Sequence, residues 1–167
     1  MSLSDYEIRP ADVTDAPSLG RAHVRIWQEA YAGLMDADYL AGLDPRARGE
    51  RWATIIEQMP PAQRTRVAVH RASGEVVGFV TVDTARDDDP ATPTELWAIN
   101  VLADHHGTGV AQALLDAALS DDDAYLWVVE GNERAQSFYR RNGFAVDGGR
   151  KRDERLGVDE LRMTRRG

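Results

Sequence analysis

The sequence ELWAINV (residues 95–101), followed by LADHH (102–106) and GTGVA (107–111), decides the fold of this chain. Its apolar and β-branched residues predict a strand that ends near Val101, and its glycines predict a tight turn that opens a helix. Free amides at a helix N-terminus carry partial positive charge and attract anions. The stretch therefore predicts a strand–turn–helix unit that can hold a diphosphate. Close packing of the strand against the helix is the alternative explanation of the glycines.

Two better-known glycine loops do not fit this turn. A dinucleotide-binding fingerprint requires a third glycine at the position of Gln112. A P-loop requires the sequence Gly-Lys-Ser/Thr, and the only lysine of the chain is Lys151, far from the turn in sequence. If the turn binds an anion, it therefore does so as a site of another kind.

Length and composition predict an ordinary folded protein. The chain has 167 residues, of which 43% are hydrophobic and 29% charged, and we assign residues 4–167 to a single domain. The formal net charge of −8 argues against nucleic-acid binding, which requires a basic face. No apolar stretch approaches the ~20 residues of a membrane span and no secretory signal is visible, so we expect a cytoplasmic protein without membrane contact. The absence of cysteine excludes disulfides and a cysteine nucleophile.

The periodicity of apolar residues predicts strands and helices in a defined order. The predicted strands are residues 6–9, 66–70, 76–82, 94–101, 124–129, 144–146 and 158–164. The predicted helices are a segment capped by Asp12 or Thr14 that carries apolar residues up to Tyr31, and residues 36–40, 46–58, 108–119 and 133–141. Pro60-Pro61 is expected to close the first helical region, and Asn142-Gly143 to end the last helix. This order predicts an α/β fold with a mixed central sheet flanked by helices.

A second motif includes and follows the predicted strand at residues 124–129. It reads LWVVEGNERA (126–135) and FYRRNGF (138–144), and it resembles the second signature block of the GNAT (GCN5-related N-acetyltransferase) superfamily. Residues 106–111 are similar to the R/Q-x-x-G-x-G/A turn with which that family binds acetyl-CoA. The resemblance extends over nearly the whole chain and is most specific over residues 94–144. It departs from the family at His106, which replaces Arg or Gln, so we expect weaker or pH-dependent diphosphate binding.

The resemblance implies the GNAT fold, in which the sheet opens between the strand ending at Val101 and the strand ending at Val129. It implies that the pantetheine arm of acetyl-CoA lies in this opening, where backbone groups hold it and polarise the thioester carbonyl. The cofactor-binding residues implied in this way are Ile99, Val101, Leu102, His106, Gly107, Thr108, Gly109, Val110, Ala111, Asn132, Ala135, Tyr139 and Arg141. A solvated helix face is the alternative for Arg141. No metal is expected, because the adjacent His105 and His106 have diverging side chains.

Two residues match catalytic positions of the family. Tyr139 matches a tyrosine that protonates the departing CoA thiolate, with aromatic packing as its alternative. Glu95, six residues before Val101, matches a glutamate that accepts the proton of the amine, with exposure to solvent as its alternative. We expect the amine to attack acetyl-CoA directly, because no cysteine is available for an acyl-enzyme. If Glu95 is not the base, water, His105 or a residue of the acceptor helix remains.

The predicted N-terminal helix carries the candidates for binding the acceptor, which are Trp27, Glu29 and Tyr31. A core-facing aromatic stripe is the alternative for Trp27. The resemblance implies a primary amine, in a small molecule or a peptide, as acceptor, and a homodimer remains possible. Two other functions stay open: a sensor that binds acyl-CoA without turnover, and an interaction module that uses the fold only as a scaffold.

Overall fold

A seven-stranded mixed sheet forms the centre of the computed structural model, which describes residues 1–58 and 65–167. Its strands are β1 (Tyr6–Pro10), β2 (Thr65–His70), β3 (Val76–Thr84), β4 (Thr94–Val101), β5 (Ala124–Val129), β6 (Ala145–Asp153) and β7 (Val158–Arg165). Its helices are α1 (Ala16–Ala30), α2 (Ala37–Ala41), α3 (Pro45–Gln58), α4 (Val110–Leu119) and α5 (Glu133–Arg141). The strands lie in the order β1-β2-β3-β4-β5-β7-β6. Only β4 and β5 are parallel neighbours within this sheet.

Helices cover both faces of the sheet, because successive side chains of a strand point to opposite sides. Phe79 of β3 packs against Trp52 of α3, with ring centroids 5.3 Å apart, and α3 lies against α1 on this face. The preceding residue, Gly78, faces α4, and a Cβ at that position would lie 3.3 Å from Leu114. The core therefore continues through the sheet from one helical layer to the other.

The parallel pair β4–β5 separates soon after it begins. Its register contains one pairing, between Glu95 and Tyr125, near the start of both strands. From there β4 continues along β3 to Val101, and β5 continues along β7 to Val129. The carboxyl ends of the two strands are therefore not joined to each other, and the sheet opens between them.

The structure confirms the predicted fold class, a mixed sheet flanked by helices. Strand β5 and helix α5 have the predicted bounds, whereas α4 begins at Val110 rather than Thr108 because Gly107 and Gly109 adopt left-handed conformations before it. Pro60-Pro61 lies outside the described residues. Among the residues that are described, no helix is long and apolar enough to cross a membrane.

Strand β6 is much longer than the predicted segment 144–146. It occupies the edge of the sheet and most of its residues are exposed, so its sequence lacks the apolar alternation by which strands are detected. Charged pairs to β7 accompany its backbone pairing, including Lys151 with Glu160 at 3.7 Å and Arg152 with Asp159 at 3.3 Å. The prediction was wrong here because an exposed edge strand can be polar on both faces.

Candidate active site

A cavity of about 590 Å³ lies between the end of β4, the glycine turn and α5, with the last turns of α1 at its margin. It brings together most of the residues that the sequence assigned to cofactor binding. The predicted residues that line it are Ile99, Val101, His106, Gly107, Gly109, Val110, Ala111, Asn132, Ala135, Tyr139 and Arg141 from the cofactor set, and Glu29 from the acceptor set. Leu102, Thr108, Glu95, Trp27 and Tyr31 do not line it.

The glycine turn is shaped by backbone conformation and not by crowding. Gly107 has a φ of +76° and Gly109 a φ of +89°, values that residues other than glycine rarely adopt. A Cβ at either position would meet no atom within 4 Å. This rules out close packing as the reason for these two glycines. Within the described residues, the amides of Gly107, Gly109 and Ala111 have no hydrogen-bond partner, so they are available to an anion.

Two polar side chains hold the turn from the inside. His106 Nε2 lies 2.9 Å from the carbonyl oxygen of Val101, and since a carbonyl only accepts, this nitrogen carries the proton. Thr108 Oγ1 donates to the carbonyl of His105 at 2.7 Å. The hydroxyl of Thr108 is thus turned into the loop, which explains why this predicted cofactor residue does not line the cavity.

The backbone of Leu102 is already paired. Its amide donates to the carbonyl of Val77 at 2.9 Å, and its carbonyl accepts from the amide of His105 at 2.9 Å. The amide of Leu102 is therefore not free to bind a pantetheine arm in this geometry. Ile99 and Val101 lie on the part of β4 that has separated from β5, so they remain the backbone candidates.

Asn132 closes the other side of the cavity at the start of α5. Its Oδ1 accepts from the amide of Ala135 at 3.3 Å and so caps the helix, and its side-chain NH₂ group has no hydrogen-bond partner among the described residues. Arg141 lies exposed at the margin, near the far end of the same helix. A helix N-terminus and a guanidinium therefore both face this space.

Tyr139 is buried, with 7% of its surface exposed, and it lines the cavity. Its ring packs against Phe138 and Phe144, at centroid distances of 5.7 and 6.0 Å. Burial, followed by the proximity of Tyr31, raises the pKa of the Tyr139 hydroxyl. No group of the described residues hydrogen bonds to this hydroxyl. Tyr139 therefore lines the cavity with a protonated hydroxyl that has no partner among the described residues. Its ring packs in the core as well, so the two roles are compatible.

Glu95 is in an environment that neither sequence interpretation described. Only 1% of its surface is exposed, so it does not face solvent. Its Oε2 lies 2.7 Å from Arg86 Nη2, and its Oε1 accepts from the Arg86 amide at 3.0 Å and from Tyr125 Oη at 3.2 Å. Both oxygens of this carboxylate are thus engaged by Arg86 or Tyr125, and Glu95 does not line the cavity, so it is not placed to contact an amine there.

The acceptor candidates on and just after α1 have separate surroundings. Glu29 lines the cavity, but its Oε2 accepts from the Ala103 amide at 2.9 Å and its Oε1 lies 3.0 Å from Arg25 Nε. Trp27 and Tyr31 contact each other, with centroids 5.2 Å apart, and pack into a small apolar cluster at the ends of β5 and β7. Glu29 thus holds the backbone just after β4, at Ala103. The rings of Trp27 and Tyr31 lie beside the cavity and do not line it.

Several lining residues were missed by sequence reasoning. They are Ile26, Ala30, Asn100, Ala103, Gln112, Arg134, Ser137 and Phe138. Helical spacing gives a signal for part of this set, because Arg134 and Phe138 precede Arg141 by seven and three residues and so share its face of α5. His105, which the sequence offered as an alternative base, also lines the cavity, and its Nδ1 is hydrogen bonded to Tyr6 Oη at 2.7 Å.

Comparison with known proteins gives a consistent result. The model of a family described as "Acetyltransferase (GNAT) domain" matches residues 62–146, just over half of the chain, and this match includes the turn and the whole second motif. The chain is 28% identical over 145 residues to "Uncharacterized N-acetyltransferase Rv2669" of Mycobacterium tuberculosis, covering 83% of this chain and 88% of that protein. It is 24% identical over 169 residues to "Uncharacterized N-acetyltransferase YuaI" of Bacillus subtilis, covering 92% and 93%.

The fold is also that of a solved structure. The PaiA N-acetyltransferase of Thermoplasma acidophilum, crystallised in complex with coenzyme A, superposes with a TM-score of 0.71 at 20% identity. The superposition covers 97% of this chain and 99% of that one. At this level of identity the likeness shows a common fold.

Proposed function

Since this chain belongs to the GNAT acetyltransferase family, we propose that it is an N-acetyltransferase that moves the acetyl group of acetyl-CoA to a primary amine. One observation carries the proposal: the cavity where β4 and β5 separate is lined at one end by the free amides of the glycine turn and at its wall by the unengaged hydroxyl of Tyr139. An anion site and a proton donor are thereby combined in one space of a size that suits a cofactor.

The residues present fit the chemistry of acetyl-CoA. The amides of Gly107, Gly109 and Ala111 form a cradle for a diphosphate, and Arg134 and Arg141 bring positive charge to the same cavity of an otherwise acidic protein. The NH₂ group of Asn132 and backbone groups of β4 suit the amides of a pantetheine arm. His106 donates to Val101, so it shapes the turn instead of replacing the family's Arg or Gln as a phosphate ligand.

Acetyl-CoA supplies a thioester, whose C–S bond breaks as the amine nitrogen forms the new C–N bond. Tyr139 Oη gives its proton to the sulfur and recovers one from water. Its raised pKa keeps it protonated at neutral pH, which a proton donor requires. We assign the loss of the nitrogen's own proton to water in the cavity, because Glu95 is paired with Arg86 and does not line this space. Glu95 then acts as a positioning residue for β4 and β5 through its bond with Tyr125.

Paired glycine variants test the cofactor site. Gly109→Ala forces an alanine into a φ of +89°, and Gly74→Ala forces one into a φ of +71° in the β2–β3 hairpin, where there is also free space around the Cβ. Both should lose a similar stability, about 1–2 kcal/mol. Only Gly109→Ala should lose the thermal stabilisation that acetyl-CoA gives by binding the native state. Equal responses of the two variants to acetyl-CoA would contradict the proposed site.

Thiol release separates an enzyme from its alternatives. The wild-type protein should release CoA thiol from acetyl-CoA when amines are supplied. If acetyl-CoA stabilises the protein but no CoA thiol is released with any of the amines supplied, a sensor would be favoured. Absence of both responses would favour an interaction module.

A further inference from the structure

The only lysine of the chain, Lys151, occupies a site that recognises ammonium groups. Its Nζ lies 4.3 Å from the centroid of the Trp127 ring and 3.7 Å from Glu160 Oε2. The ring is fixed in place because Trp127 Nε1 donates to Asp87 Oδ2 at 2.7 Å. An aromatic face beside a carboxylate is a common means of binding organic cations. A side chain of the protein itself thus fills this site, and the guanidinium of Arg162 lies 5.9 Å from the centroid of the same ring.

Lys151 is held there less firmly than the neighbouring cations are held to their partners. The 3.7 Å separation is long for a hydrogen bond, and 44% of the lysine side chain is exposed. In contrast, Arg162 lies 2.7 Å from Asp147, and Arg86 lies 2.7 Å from Glu95. Ion pairs of the exposed kind contribute little to stability, and lysine has a long flexible stem. A ligand with an ammonium group can therefore displace it.

The site lies on the face of the sheet against which Tyr31, a candidate for binding the acceptor, packs. Glu160 is paired with Val129, the last residue of β5, and Val158 is two residues before it, so their side chains share one face of the sheet. Tyr31 packs on that face, in the same apolar cluster as Val129 and Val158. Burial, followed by the charge of Glu160, raises the pKa of Tyr31 to about 12, and Tyr31 in turn acts on Tyr139. Tyr31 directly follows Ala30, which lines the cavity, so this cluster lies between the Glu160 face of the sheet and the cavity.

We propose that Trp127 and Glu160 form a cation subsite of the acceptor site, and that the acceptor is an amine with a second, protonated amino group that displaces Lys151. This inference rests on the proposed acetyl transfer and specifies its substrate class. One ammonium group binds over the Trp127 ring and beside Glu160. The other amino group, unprotonated, reaches past Tyr31 to the reaction centre. A monoamine of the same length lacks the first contact.

A matched pair of amines, n-pentylamine and 1,5-diaminopentane, tests the subsite. The readout is the ratio of the KM for the diamine to the KM for the monoamine. Glu160→Gln should raise this ratio about tenfold, since it removes a charge-assisted contact. Lys151→Gln should lower it about threefold, because an internal competitor is lost. The control Glu130→Gln removes an exposed carboxylate that pairs with Arg150 at 2.8 Å, and it should leave the ratio unchanged.

The opposite effects of the two variants cannot come from partial unfolding, which would act on both amines alike. An unchanged ratio in Glu160→Gln, or an equal fall of kcat for both amines, would overturn the subsite and assign Glu160 to structure or to proton transfer. Calorimetric titration of the diamine into the protein separates this failure from that of the proposed function. Binding that depends on Glu160, without turnover of any amine, would uphold the subsite and refute acetyl transfer. Turnover of amines, without diamine binding that depends on Glu160, would uphold acetyl transfer and refute the subsite.

Discussion

Replacing Glu95 by glutamine tests whether this residue positions the sheet or accepts the proton of the amine. Its oxygens receive the Arg86 amide at 3.0 Å, Arg86 Nη2 at 2.7 Å and Tyr125 Oη at 3.2 Å, with 1% of the residue exposed. In Glu95→Gln an NH₂ group must face one of these donors in either orientation of the amide. A buried donor left without an acceptor, together with a broken charge pair, should cost about 2–4 kcal/mol. For a domain of this size that corresponds to a fall in Tm of roughly 5–15 °C.

The assay combines thermal unfolding with turnover at two pH values. The control Glu130→Gln should shift the Tm by no more than about 2–4 °C, because its ion pair is exposed. If Glu95 positions the strands, the loss of kcat in Glu95→Gln should be the same at pH 7 and pH 9. An unchanged Tm, with a kcat that falls about tenfold or more at pH 7 and recovers at pH 9, would refute this reasoning and make Glu95 the base.

Three further predictions concern a tyrosine and two histidines. Tyr139→Phe should lower kcat about ten- to a hundredfold while the KM for acetyl-CoA stays nearly constant in initial-rate measurements. A KM for acetyl-CoA that rises by as large a factor as kcat falls would instead indicate a cofactor contact. His106→Ala removes the bond to Val101 and should weaken acetyl-CoA binding about fivefold in calorimetry, whereas an unchanged Kd would mean that the turn holds its shape without this bond. Burial, followed by the charges of Arg48 and Arg51, lowers the pKa of His23 to about 3. The unfolded chain therefore takes up this proton first as the pH falls, and stability should decline below about pH 6.5 and down to about pH 3, by up to ~1.4 kcal/mol per pH unit. Chemical denaturation should show a correspondingly weaker pH dependence in His23→Gln, and identical slopes would contradict the burial of a neutral imidazole.

The parts of the fold that could be predicted are those whose sequence pattern reports burial directly. Strand β5 is buried at five of its six positions, so its apolar run marks both ends. Helix α5 begins at the cap Asn132 and ends before Gly143, whose φ is +86°, and both signals are local. Strand β6 carries no such pattern, because it is held at an exposed edge by pairing with β7 and by charges.

The candidate site divides in the same way. The glycine turn could be predicted because positive φ values restrict the residue type at Gly107 and Gly109. The surroundings of Glu95 could not, because its partner Arg86 lies in the loop between β3 and β4 and nothing in the spacing brings them together. The pairing of the Leu102 amide with Val77 likewise depends on the sheet register and not on local sequence. Long-range contacts of this kind require the folded structure.

The balance of products tests the central claim most directly. Purified protein is incubated with acetyl-CoA and a primary amine, and mass spectrometry measures acetylated amine and free CoA over time. Acetyl transfer by direct attack predicts that the two products appear in a 1:1 ratio, and that Tyr139→Phe slows both equally. Release of CoA without acetylated amine, or the same rate with and without the protein, would contradict the assignment of this cavity to N-acetyl transfer.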